Sequence, residues 1–182
     1  MKKTLVLILA FTGLALHSQA ASVSLSAPST VTGPFDVTVL ATGVFDPPHD
    51  GDGLFGYGFN FSYDNSILSY LGETPGSLFD DISSNPGLTA QVAGVADAGF
   101  LALGDFTEPL TLATLHFNIV GFGPTTISVN ADATNLDQGL AYLSASDSFS
   151  ASAAVNAVPE PGTFALLGLA GAGLLAFRRR RA

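Results

Sequence analysis

The densest cluster of chemically versatile side chains is Asp46-Pro47-Pro48-His49-Asp50-Gly51-Asp52-Gly53. Carboxylates at alternate positions with intervening glycines suit a hard cation such as calcium, which takes about 6–8 oxygen ligands. Asp46, Asp50 and Asp52 are the candidate ligands. An EF-type loop would need a further ligand and a distal glutamate in register, and neither is there. Pro, Asp and Gly are also the residues of a solvated turn, so both readings stand. Asp80-Asp81 and Asp64-Asn65 read as turns and helix starts. His116 lies between Leu115 and Phe117 and points to the opposite strand face. It reads as an exposed or hydrogen-bonded strand histidine, since the sequence identifies no nucleophile partnered with it. Carboxylate pairs for glycoside hydrolysis are spatial and not sequential, and the chain has no extra length for a substrate cleft.

Charge narrows the chemistry further. All six Lys and Arg residues lie at the ends, as Lys2, Lys3 and Arg178–Arg181. Residues 21–157 contain none, against 14 Asp and Glu, so this stretch carries a charge near −14 where the whole chain has −9. Nucleic-acid binding, which depends on Lys and Arg neutralising phosphates, is excluded. No glycine-rich phosphate loop with its lysine is present. The carboxylates must be solvated, hydrogen-bonded to amides, or bound to a cation. The absence of cysteine excludes disulfides, zinc–thiolate sites and thiol chemistry.

The elements that position these groups follow a period of two. Val23 and Leu25 alternate with serines, and Phe35, Val37 and Val39 with Asp36 and Thr38. Phe55, Tyr57, Phe59, Phe61 and Tyr63 fall on every second position, which predicts five aromatics on one face of a central strand. Further strands are predicted over 88–95, 100–103, 112–120, around Ile127 and Val129, and over 140–143, with a last one over 149–155. Eight or nine short strands without a 3.6-residue period predict an all-β sandwich. One domain is expected over 22–145. The Ser/Ala-rich stretch 146–157 has the composition of a flexible linker or a last, weakly packed strand.

Both ends read as targeting segments. Lys2-Lys3, an apolar core over 5–16 and small residues at Ser18 and Ala20 make residues 1–20 a signal peptide for Sec export, cleaved between Ala20 and Ala21. Residues 158–182 begin with Val158-Pro159-Glu160-Pro161, continue through an apolar run over 164–177, and close with Arg178, Arg179, Arg180 and Arg181. As a helix that run would cover roughly 21 Å, extended by Gly162 and Thr163 and by arginines snorkelling to the headgroups. The positive-inside rule then places the arginines in the cytoplasm. This arrangement resembles the PEP-CTERM sorting signal of Gram-negative bacteria. The resemblance implies recognition by an exosortase, an inner-membrane anchor with a periplasmic domain before processing, and then a place at the cell surface or in an extracellular matrix.

The body carries a second resemblance. Ser22-Val23-Ser24-Leu25-Ser26, Gly58-Phe59-Asn60-Phe61-Ser62-Tyr63-Asp64 with Ile67-Leu68-Ser69-Tyr70, and Leu112-Ala113-Thr114-Leu115-His116-Phe117 are similar to strands of the cohesin-type domain. That family is a jelly-roll sandwich of about nine strands, related to some carbohydrate-binding modules. It implies a non-enzymatic adhesive module that binds a surface protein or an exopolysaccharide. The competing expectation is a small secreted hydrolase acting on polysaccharide. No cofactor is called for, and calcium is the one candidate ligand ion.

Overall fold

The computed structural model describes residues 21–160 and 162. Residues 1–20, 161 and 163–182 lie outside the described residues, so the signal peptide and the membrane helix expected there do too.

The two-residue periodicity is realised as twelve strands, with no helical element among the described residues. They are β1 (Ser22–Ser26), β2 (Thr30–Val31), β3 (Phe35–Thr42), β4 (Leu54–Ser62), β5 (Leu68–Pro75) and β6 (Phe79–Asp81). Then follow β7 (Val92–Ala96), β8 (Leu110–Ile119), β9 (Gly123–Ala131), β10 (Gly139–Tyr142), β11 (Ser146–Asp147) and β12 (Phe149–Ala157). Three of these are pieces of two or three residues (β2, β6 and β11), which leaves nine of the length expected for a sandwich.

One sheet has the order β1-β3-β8-β5, and the other β11-β10-β4-β9-β12-β2, with β7 and then β6 continuing from the free side of β4. The inner faces meet in one core. Val37, Val39, Leu115 and Phe117 come from the first sheet, and Leu54, Phe59, Ile127, Val129 and Leu140 from the second. All are essentially inaccessible to water, as expected where two sheets pack at about 10 Å.

Three expectations need correction. The first concerns the aromatic row. Tyr57 and Phe59 are buried, and Phe61 and Tyr63 pack against the core. Phe55 instead faces out and is 48% exposed. Gly56 pairs with Ala141 while Leu54 pairs with the next residue, Tyr142, so β4 has one residue too many at Phe55. Such a bulge reverses the inward parity of the strand, and Leu54 takes the inward position.

The second correction concerns 146–157, where the strand expected over 149–155 forms and runs on to Ala157, so the linker reading falls and the domain extends beyond 145. β12 pairs with β9 along its entire length, from Phe149↔Ala131 to Ala157↔Gly123. Phe149, Val155 and Ala157 are buried, while Ser150, Ser152, Ala154 and Asn156 face out. Small side chains read as a linker by composition. Here they let β12 lie beside β1 across the gap between the sheets.

The third correction is local. Only 92–95 of the stretch 88–95 is strand, as part of β7, and 100–103 contributes a single bridge, Leu54↔Leu101. Residues 89–91 are held by one backbone bond, the Gln91 amide to Phe59 O at 3.1 Å, and by side chains: Asp137 accepts from the amide of Ala90 at 2.8 Å, and Gln91 Oε1 from the amide of Phe61 at 2.7 Å.

Candidate functional site

Turned outward by the bulge, Phe55 stands at the edge of an apolar groove. Across the outer face of β10, β4 and β7 runs a groove of about 170 Å³. Its floor is bare backbone at Gly56 and Gly58, and its walls are Phe55, Ile82, Val95, Leu136 and Ala141. The floor glycines are demanded by close approach. A Cβ on Gly58 would stand 1.9 Å from the carbonyl oxygen of Asp137, and one on Gly56 2.5 Å from that of Gly94.

Loop 132–138 forms one wall and is held by Asp137. Its carboxylate accepts from the Thr89 amide, from the Thr89 hydroxyl at 2.8 Å and from the Ala90 amide at 2.8 Å. At the tip of this loop Leu136 is 99% exposed. Below the floor Tyr57 is buried and its hydroxyl has no partner among the described residues. Burial first, then the charges of Asp81 and Glu73, push its phenol above the ordinary value, so it is neutral.

The apolar surface continues toward the loop end. The Leu54↔Leu101 bridge sets Phe100 alongside Phe55 in register. Phe100 and Leu143 close over Gly53, where a Cβ would meet them at 2.9 and 3.0 Å. Both side chains nevertheless remain largely exposed, Phe100 by 49% and Leu143 by 63%. Alternation alone hides this patch, because it places Phe55 in the core row. The detectable signal was Leu136, a lone large apolar residue in the polar stretch Asp132-Ala133-Thr134-Asn135-Leu136-Asp137-Gln138.

The loop considered for calcium is built differently from a metal site. Three successive turns, Asp46 N to Gly43 O, His49 N to Asp46 O and Asp52 N to His49 O, wind His49 inward. His49 is buried and stacks on Tyr142 with ring centroids 3.6 Å apart. Its Nε2 lies 3.0 Å from Asp147 Oδ2 and its Nδ1 3.4 Å from Asp52 Oδ2. Asp52 also accepts from the Ser144 hydroxyl and from the Gly53 amide. These bonds hold its carboxyl below the ordinary value, with Ser144 the largest cause. Asp52 is thus occupied in a latch with Ser144, ahead of β11, and His49 ties the loop to β11 through Asp147, while Asp46 and Asp50 face solvent. Among the described residues no group of three or more His, Asp or Glu converges as metal ligands would, so the structure does not assemble the calcium set.

His116 is half-exposed on the outer face of the first sheet and hydrogen-bonded, in keeping with the sequence reading. Its partners are new: Nδ1 to Asp36 at 2.7 Å and Nε2 to Thr74 Oγ1 at 2.8 Å. The order Thr–His–Asp is that of an activated nucleophile. Yet β8 is laddered on both sides by β3 and β5, so its amides lie in the sheet plane and do not form an oxyanion cradle above the hydroxyl. Val158, Pro159 and Glu160, the described part of the sorting motif, follow the last strand directly.

Comparison with known proteins bears on both the body and the tail. The domain superposes on the cohesin module of a family 33 glycoside hydrolase from Clostridium perfringens with a TM-score of 0.54 at 11% identity. The match covers 78% of this chain and 98% of that one. The fold is that of a cohesin module. A type II cohesin domain from the cellulosome of Acetivibrio cellulolyticus also aligns, at 12% identity and a TM-score of 0.43, over 76% of this chain and 96% of that one. Residues 157–181 match the PEP-CTERM protein-sorting motif, which marks the cohesin-like domain as exported and destined for an exosortase. No curated protein matches the chain in sequence.

Proposed function

We propose that this protein is a non-catalytic binding module, displayed at the cell surface or in an extracellular matrix. In this reading the tail holds it in the inner membrane until an exosortase removes it. The observation that carries the reading is the glycine-floored groove with Phe55 and Leu136 at its rim and Phe100 and Leu143 beside it. Contiguous exposed apolar surface of this kind marks interaction sites on soluble domains. The partner is an exopolysaccharide or another surface protein. Cohesin modules with the same fold support the binding role, and the sorting motif supports the location.

The test is photo-crosslinking in the native host, with a benzophenone amino acid at position 55 or 136 and at position 126 on β9 as control. Adducts from 55 and 136 but not from 126 are expected, with polymer or protein identified by mass. Equal adducts at all three positions, or none from the groove, would sink the assignment. A second reading, hydrolysis of polysaccharide, is favoured only by the Thr74–His116–Asp36 row. It requires that His116→Gln abolish release of reducing ends from the host polymer. Unchanged or absent release leaves the binding role alone.

A further inference from the structure

We propose that the tip of the β8–β9 hairpin, Val120-Gly121-Phe122, docks on the bilayer surface and sets the orientation of the anchored domain. The inference rests on the reading of the tail as a membrane anchor and extends it to the folded domain.

The exit of the chain from the domain leaves little slack. Asn156 and Ala157 pair in parallel with Thr30 and Val31, Ala157 pairs on its other side with Gly123, and the Val158 amide donates to Val31 O at 2.9 Å. Residues 159–163 alone separate this rung from the apolar run that begins at Phe164. Five residues reach at most about 18 Å, so the end of the sandwich bearing Gly123 is held near the headgroups.

At that end two large apolar side chains stand out from the surface. Val120 is 58% and Phe122 62% exposed, immediately before Gly123. The tip is rigid, since the amides of Val120 and Gly121 both donate to Ile67 O, at 2.9 and 3.1 Å. A rigid apolar tip presents its side chains to the interface without the entropy cost of ordering a loop.

Charge is distributed in the same sense. The loops at the tethered end, 27–34, 63–67 and 120–122, carry one carboxylate, Asp64. Loops 43–53 and 97–109, joined at the opposite end by Glu108 accepting from the Gly43 and Val44 amides, carry six. An anionic membrane repels carboxylates within a Debye length, so the tethered end alone can approach it closely. Two side chains would bind a membrane weakly by themselves. A short tether, however, raises their effective concentration at the bilayer to the millimolar order. Docked this way, the acidic end with Phe100 and Leu143 points away from the membrane toward a partner.

The chain contains no tryptophan, so single reporters are available. The experiment uses the full chain carrying Phe122→Trp or Leu103→Trp, reconstituted in phosphatidylethanolamine–phosphatidylglycerol vesicles with brominated acyl chains. Leu103 is 74% exposed on loop 97–109 and serves as the distal site. Co-flotation with the vesicles reports the anchor independently of the docking. Several-fold stronger quenching at 122 than at 103, in chains that float, is the expected result. Floating chains with equal quenching, or none at 122, would overturn the docking and leave the anchor intact. Chains that do not float would overturn the anchor and the docking with it.

Discussion

Whether residues 146–157 are a strand or a linker has a large energetic consequence. Phe149 is 8% exposed, and its ring meets Phe59 edge-to-face at 6.1 Å, at the start of β12. Replacing a buried Phe by Ala typically costs about 3–5 kcal/mol. The lower half of that range is apt for a side chain at the end of a strand. Val155, 2% exposed, covers the other end of β12 and contributes about 1.5–3 kcal/mol by its burial. The two losses together reach the lower end of the stability of an ordinary domain, about 5–15 kcal/mol. For a domain of this size each kcal/mol moves the melting temperature by roughly 2–8 °C. Phe149→Ala should therefore lower it by on the order of 10 °C or more in circular-dichroism melts. Ser150→Ala, on the exposed side of the same strand, should change it little. Equal melting temperatures for Phe149→Ala and Ser150→Ala would refute the packing argument and restore a linker.

Two further outcomes follow from the geometry. Gly58→Ala drives a Cβ into the Asp137 carbonyl and must push loop 132–138 off Thr89 and Ala90. It should cost about 1–3 kcal/mol of overpacking in urea titrations, whereas Gly33→Ala, with nothing within 4 Å, should be silent; the reverse order would contradict the close-packed floor. Asp52 has a depressed folded pKa, so its stabilising effect is present above its unfolded value of about 3.9 and fades as pH falls through the lower folded one. The advantage of wild type over Asp52→Asn should accordingly shrink between about pH 5 and pH 3, and a gap constant over that range would rule out the latch as its source.

Much of this protein is written locally. Alternation over 35–39 and 57–63 requires strands with one buried face, because successive side chains on extended backbone point oppositely. The confinement of every Lys and Arg to residues 2–3 and 178–181 removes nucleic acid from consideration without any fold. The sorting motif is likewise a local pattern, and its match covers 157–181. What required the tertiary structure depends on pairing between distant segments. The direction in which Phe55 points is decided by a bulge opposite Ala141 and Tyr142, some 86 residues on. His116 finds Asp36 80 residues away and Thr74 42 away, and His49 finds Asp147 98 away. The Ser/Ala segment becomes a strand only because β9 offers it nine rungs and β1 leaves room for small side chains. Composition records what a segment can do in water. Its backbone groups are satisfied in the folded chain by whichever strand the register supplies, and that partner is not encoded in the segment itself.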